Sequence, residues 1–235
     1  HFFDLHLAHI DHGWRAESGR EALFLQKKAQ ALGLPLHLLT LVELPAGNLE
    51  AWSREQRYAF LLTLQKKYGF AAVLLAHQAD DLIETALQRV LEGAHLPFLA
   101  GMEEVSYRQD LLLWRPLLPV RKKELAAFLA QQKIKALQDR SNKNIHFLRA
   151  RVREKILPAL ARHFGKQVDR NLWHLAEKAV VLKKYLDSKI ALVWEQRQAG
   201  PLGIYWPLKL LLTLEELELQ YLFKKMAHVY DVDLT

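Results

Sequence analysis

None of the 235 residues is a cysteine. That removes disulfides, iron–sulfur clusters, thiolate zinc sites and every mechanism that passes sulfur through a cysteine, and it fits a reducing compartment. The chain also lacks a run of about eighteen apolar residues, and no charged segment followed by an apolar stretch and a cleavage site opens it. Neither a membrane span nor a signal peptide is therefore expected, and the sequence reads as cytoplasmic, without a membrane partner. No internal repeat or low-complexity tract is evident.

What is present suffices for burial: 51% hydrophobic residues can form one good core and a second, smaller one. The formal charge is +7, but it is local. From Arg115 to Lys189 there are 19 Lys plus Arg against 6 Asp plus Glu, a regional excess of +13, which leaves −6 elsewhere. One strongly positive region suits phosphates, although helices also carry solvated lysine faces with no partner.

The chain alternates strand-like and helix-like segments. "FFDLHLAHI" reads as a strand. "SGREALFLQKKAQALG" opens with a Ser18-x-x-Glu21 capping box and stops at Gly33. "LPLHLLTL" is a second strand, and the helix after it takes Asn48 as cap and Gly69 as stop. "FAAVLLA" is a third, buried strand. Short strands separated by helices of about 15 residues predict an α/β fold with a parallel sheet. "DLLLWRPLLPV" and "RKKELAAFLAQQKI" add a strand and a helix, so the α/β domain is expected to span 1–140. Leu172, Leu175, Ala179, Leu182, Leu186 and Val193 then predict a long amphipathic helix with Lys189 breaking its stripe. "AGPLGIYWP" is a break, followed by another helix. Residues 141–198 are thus expected as a helical, RNA-contacting region and 199–235 as the start of a helical C-terminal domain. The chain opens directly on a strand-like run at His1, so a further portion is expected upstream.

Four stretches carry chemistry. "HIDHGWR" places His9, Asp11, His12 and Arg15 just past a strand, where either a nucleotide or a plain polar turn fits; a zinc pair lacks a third ligand. "AHQADDLIET" sets Asp81 and Glu84 on one helix face, either as a capping box with Asp81 as N-cap or as ligands for Mg²⁺ or a cationic group. Arg115 in "WRPLL" ends an apolar strand, either snorkelling or aimed at an anion in the ligand crevice that open α/β sheets form there. In "QDRSNKNIHFLRARVREK", Arg149, Arg151 and Arg153 cannot all share one face; beside Ser141 and Asn142 they favour RNA or triphosphate contact over a solvated charge run.

Taken in order, these stretches resemble the tRNA(Ile)-lysidine synthetases, a family of the N-type ATP pyrophosphatase, or PP-loop, superfamily. The family's H-x-x-H-G-x-R is seen at His9 to Arg15, and its E-A-x-A-R-x-x-R-Y at Glu50 to Tyr58 with Ser53 as a change. H-x-x-D-D-x-x-E-T is matched from His77 to Thr85, and R-P-L-L from Arg115 to Leu118. D-x-S-N is seen at Asp139 to Asn142, and R-N-x-x-R at Arg149 to Arg153 with Ala150 in place of asparagine. Of the glycine-rich G-x-G-x-x-G-L-x-x-M loop, Gly93, Leu99 and Met102 are kept, while His95 and Phe98 stand at glycine positions. The S-G-G-x-D-S loop that cradles pyrophosphate in the superfamily is not among these residues, so the chain as given is expected to bind ATP poorly, as a piece of an active enzyme.

The resemblance implies a Rossmann-like PP-loop sheet followed by a smaller helical domain, and an ATP- and Mg²⁺-dependent ligase. That enzyme joins L-lysine to carbon 2 of the wobble cytidine of tRNA(Ile) with a CAU anticodon, through an adenylated intermediate. It implies Asp81, Glu84, Arg115 and Arg153 as catalytic residues, His9, His12, Arg15 and His77 at the nucleotide, and Asp81 at the metal. Arg121, Lys122, Lys123, Arg149 and Arg151, with the long helix, would meet tRNA. Assembly as a homodimer is compatible with the reading. The alternatives are another PP-loop tRNA-modifying enzyme, such as a thiolase, for which cysteines are wanting, and a non-catalytic RNA-binding module.

Overall fold

Strands and helices alternate over the first ninety residues because apolar runs punctuated by glycine leave each helix a strand on either side. The computed structural model describes residues 3–11, 18–41, 49–134, 136, 147–165, 167–201 and 203–230. In order come β1 (Leu7–Asp11), α1 (Ser18–Ala31), β2 (Leu36–Thr40), α2 (Leu49–Tyr68), β3 (Val73–Leu74) and α3 (Ala79–Leu91). Helices α1 and α2 stop as expected, before Gly33 (φ 66°) and Gly69 (φ 70°), which take the left-handed conformation that a side chain would strain. The chain divides into two compact units, His1–Leu75 with Val105–Trp114, and Ala76–Glu104 with Arg115–Thr235.

In the first unit β1 and β2 run parallel, from Leu7 opposite Leu36 to Asp11 opposite Thr40. A second sheet has the order β3-β5-β4, with β4 (Val105–Arg108) and β5 (Leu111–Trp114). β3 pairs parallel with β5, whereas β4 is antiparallel to it through a turn at Gln109. The expected third strand shrinks to Val73–Leu74, and β4 is an addition: "EVSYRQD" is too polar to announce itself. Tyr58 and Leu61 of α2 pack on Leu111 and Leu113 of β5 to form this unit's core. The Arg54 and Arg108 guanidinium carbons lie 5.4 and 4.2 Å from the Tyr58 ring centroid.

Beside β1 and β2, His6 Nδ1 and His37 Nε2 lie 2.8 Å apart, against the rings of Tyr68 and Phe70. Burial lowers the His37 pKa below its usual value, and the neighbouring His6 and Lys67 charges lower it further. A histidine whose folded pKa is depressed binds protons better when unfolded, so stability is full above about pH 6.5 and declines as pH falls below that. The thermal midpoint of this unit is expected to be lower at pH 5 than at pH 7.5, and His37→Phe should flatten that difference. An unchanged pH dependence in the variant would assign the effect elsewhere.

The second unit is helical: α3, α4 (Lys122–Gln131), α5 (Leu148–Arg151), α6 (Leu157–Phe164), α7 (Val168–Glu195), α8 (Leu208–Leu211) and α9 (Glu216–Tyr230). Leu82 and Ala86 of α3 bury against Ala176 and Ala179 of α7, with Leu99, Ala100 and Leu118 filling the gap. The small alanines let the two helices approach closely. α7 runs unbroken through Lys189, because Ile190 takes over the buried stripe while Lys189 turns outward over the Tyr185 ring. The stretch read as a proline and glycine break is a short hairpin, β6 (Gln198–Gly200) with β7 (Gly203–Tyr205). In the glycine-poor loop after α3 the left-handed positions fall on Gly93 and Gly101, while Leu96–Phe98 form a 3-10 turn. His95 (φ −58°) therefore needs no glycine.

Candidate functional site around Glu84

The N-cap of helix α3 lies three residues earlier than its sequence suggests. It is Gln78, and Asp81 occupies the third helical position, where its Oδ2 accepts the Gln78 backbone N–H at 3.0 Å. Asp81, expected as the N-cap, is thus the closing member of the capping box, a role that favours a carboxylate because the helix start is positive. Glu84 is released from capping. One turn further on, it falls on the apolar face between Ile83 and Leu87 and is only 3% exposed.

A buried carboxylate must be paired or it neutralises. Two arginines from the following helical stretch pair Glu84. Arg153 Nε donates to its Oε1 at 2.5 Å and Arg153 Nη2 to its Oε2 at 2.8 Å, a bidentate fork. Arg149 Nε donates to the same Oε2 at 3.1 Å, and Arg149 Nη2 reaches Asp81 Oδ1 at 2.9 Å. Two carboxylates thus meet two guanidiniums. The hydrogen bond to Glu84 raises the Arg153 pKa, against a smaller opposing effect of burial, and the charges of Glu84 and Asp81 add to the rise.

Arg149 and Arg153 share a face because they are four apart, and Arg151, as the spacing predicts, points away into solvent. The helix carrying them has a π turn at Val152–Ile156, where the Leu157 N–H reaches the Val152 carbonyl. Pro158 supplies a reason: it has no N–H to give, so the regular pattern cannot continue through it.

A second ion cluster adjoins the first. Asp80 Oδ2 accepts the Lys122 backbone N–H at 2.7 Å, capping α4, and its Oδ1 lies 3.0 Å from Arg121 Nη2. The same Arg121 nitrogen donates to Asp169 Oδ2 at 2.9 Å, tying in the start of α7. Arg121 is therefore held between two carboxylates, and Arg149 is committed to Asp81 and Glu84. Of the five basic residues expected to meet RNA, Lys122, Lys123, Arg149 and Arg151 are exposed, Arg149 while pairing with both carboxylates.

Arg115 is only 5% exposed and does not snorkel. Its Nη1 donates to the Glu103 carbonyl at 2.8 Å and its Nε to His77 Nδ1 at 3.3 Å, just ahead of the α3 N-cap. His77 and Arg115 thus meet, a contact between two motifs that the sequence alone did not show. His9 sits in β1 opposite Leu38. His12, Arg15, Asn48, Asp139, Arg140, Ser141 and Asn142 lie outside the described residues. Reading the sequence missed Asp80 as a cap for α4, and also Asp169 and Glu103, whose partners are far along the chain.

A cavity of about 330 Å³ opens beside Glu84, with Asp80, Ile83, Arg153, Leu157 and Asp169 in its wall. A lining that mixes apolar Ile83, Leu157, Pro158 and Ala161 with charged side chains suits a ligand with an aliphatic stem and a charged end. Mg²⁺ fits less well. Among the described residues no group of three His, Cys, Asp or Glu side chains is placed to hold a metal, and the Asp81 and Glu84 oxygens already accept from arginines and Gln78.

The PP-loop domain family model matches residues 1–160. The tRNA(Ile)-lysidine synthase of Protochlamydia amoebophila is 37% identical over 223 residues, covering 94% of this chain and 49% of that protein. The enzyme of the same description from Chlamydia pneumoniae is 42% identical over 183 residues, 77% of this chain and 57% of that protein. The chain thus spans about half the length of these curated relatives. Among solved structures, the U34-tRNA thiolase NcsA from Methanococcus maripaludis superposes with a TM-score of 0.56 over 74% of this chain and 60% of that one. At 14% identity it speaks for the fold alone. With the α/β order, the parallel pairings and a family match over some two thirds of its length, the chain belongs to the PP-loop domain family.

Proposed function

We propose that the protein ligates lysine to carbon 2 of the wobble cytidine in tRNA(Ile) bearing a CAU anticodon, at the expense of ATP. The observation that carries this reading is the buried Glu84 with its two arginines beside a cavity of amino-acid size, on residues that match the family's motifs. Lysine brings an aliphatic stem and an ammonium, for which Glu84 and Asp81 are the matching carboxylates. ATP transfers its adenylyl group to the cytidine carbonyl oxygen, releasing pyrophosphate. The ε-amine then attacks carbon 2, AMP leaves with that oxygen, and the amine loses its protons.

Only the neutral amine is a nucleophile, so a carboxylate that first holds the ammonium must later release it. Arg149 and Arg153 make this an exchange of cations: they pair the carboxylates until anionic phosphate draws them off. Arg115, kept rigid by Glu103 and His77, places a further positive charge for the phosphates. His9, His12 and Arg15 belong to the nucleotide side on the strength of the motif. No step is routed through Mg²⁺ at Asp81.

Exposed Lys122, Lys123 and Arg151 are the tRNA backbone contacts in this scheme, whereas Arg121 is structural. Changing Lys122 and Lys123 together to Gln should lower the salt slope of tRNA binding by about one to two, and Arg121→Gln should lower stability more than affinity. Such a reaction belongs where tRNA is, in the cytoplasm, and no helix among the described residues is long and apolar enough to cross a membrane.

The test is transfer of labelled lysine by the full-length protein to tRNA with a CAU anticodon, with and without ATP, and with methionine tRNA as control. ATP-dependent labelling of the isoleucine tRNA alone is expected. Salt-sensitive tRNA binding with no labelling would replace the ligase by an RNA-binding module.

A further inference from the structure

A chain of charged side chains that the reaction scheme leaves unused runs from Arg115 to the last helix, entirely within the second unit. Lys183 Nζ lies 2.9 Å from Glu103 Oε1 and 3.4 Å from Asp187 Oδ2. Asp187 Oδ1 in turn accepts from Tyr221 Oη at 2.9 Å and pairs with Lys225 Nζ at 2.5 Å. Tyr221 is 2% exposed, and the Lys225 ammonium also stands 4.8 Å from the Trp194 ring centroid. Helix α9 is thus fixed to α7 through Asp187, and α7 is fixed to the segment before β4 through Lys183.

Lys183 and Asp187 are each held in the charged form. Burial lowers the Lys183 pKa, but hydrogen bonds and charge from Glu103 and Asp187 more than offset it, and the net shift is upward. Burial raises that of Asp187, yet the hydrogen bonds from Lys225 and Tyr221 and the lysine charges leave it lowered. Burial and Asp187 push the Tyr221 hydroxyl far up, so it remains a donor.

Glu103 is where this chain meets the candidate site. Its carboxylate takes Lys183, and its backbone carbonyl takes Arg115 Nη1, while the Arg115 N–H donates to the Glu104 carbonyl at 2.8 Å. Lys183 thus adds a side-chain tether to the residue whose carbonyl holds the Arg115 guanidinium.

We propose that Lys183 is a positioning residue for Arg115, acting through Glu103, and that Asp187 with Tyr221 and Lys225 makes this position depend on helix α9. The geometric claim stands on the contacts above; its consequence for catalysis rests on the ligase reading. Without Lys183 the fold keeps its apolar contacts between α3 and α7, but Arg115 samples several positions.

Two readouts separate the parts. In full-length protein labelled with ¹⁵N-arginine, hydrogen exchange at Arg115 Nε–H is followed by NMR, with Arg115→Lys to assign the signal. Lys183→Met is expected to speed this exchange about tenfold, and Lys183→Arg to restore it within about threefold of the parent. Glu103→Gln, which keeps a hydrogen bond and loses the charge, should fall between and serves if Lys183→Met does not fold. Asp187→Asn should act in the same direction through α9. Unchanged exchange in folded Lys183→Met or Glu103→Gln overturns the proposal.

In the lysine-transfer assay, kcat should fall with the exchange while KM for lysine moves little, because Arg115 is set to the phosphates. A fall in activity with no change at Arg115 Nε would also overturn it. No transfer by the parent protein, with the exchange pattern as expected, would sink the ligase reading and leave the positioning intact.

Discussion

Arg153→Met should lower stability by about 3–5 kcal/mol, read as a shift of the urea midpoint followed by tryptophan fluorescence. The side chain lost is flexible and partly exposed, and methionine replaces most of its aliphatic length. What costs is the group left behind. Glu84 is 3% exposed, and its fork with Arg153 supplies two of the three hydrogen bonds from arginine to its carboxylate. With Arg153 gone, Arg149 must serve both Glu84 and Asp81, and a buried anion with half its compensation is far worse than no ion pair.

The same reasoning gives two controls. Adding Glu84→Leu to Arg153→Met removes the stranded charge, extends the apolar face of Ile83 and Leu87, and should recover most of the loss. Arg151→Met, two residues away and exposed, should change stability by less than about 0.5 kcal/mol. Equal losses in Arg151→Met and Arg153→Met, or a double variant no better than the single one, would contradict the electrostatic origin.

How much of this was legible beforehand depends on distance along the chain. The α/β alternation and the ends of α1 and α2 follow from local apolar runs and from glycines at 33 and 69, so they were readable. The shared face of Asp81 and Glu84 was readable too, being a matter of helical spacing. The start of α3 was not, since Asp81 suits the N-cap by type, whereas the helix starts after Gln78 and Asp81 closes the capping box from its third position. That Asp80 caps α4, that Arg121 bridges to Asp169, and that Arg149 and Arg153 close on Glu84 are contacts spanning 42 to 69 residues. A lysine or arginine carries no mark of which distant carboxylate it meets. For this reason basic residues in one dense stretch read alike as RNA contacts, whereas the fold ties Arg121 and Arg149 to carboxylates and leaves Lys122, Lys123 and Arg151 exposed.

Glu84→Gln is expected to cut kcat/KM for lysine by about 10² or more in the ATP-dependent transfer assay, chiefly through KM, with KM for ATP little changed. The substitution keeps size and one acceptor oxygen, so the cavity beside Ile83 and Leu157 persists. It removes the charge that an ammonium needs, and losing one partner of a desolvated charge pair costs about 2–5 kcal/mol, a factor of roughly 30 to several thousand. Asp81→Asn should lose less, about tenfold, because asparagine can still accept the Gln78 N–H and α3 keeps its start. The order of the two effects is informative. If Asp81→Asn were the more damaging, the ammonium would sit at the helix mouth and not at the buried carboxylate. Full transfer by Glu84→Gln would mean that the clamp of Arg149 and Arg153 holds the fold together and that lysine is taken elsewhere.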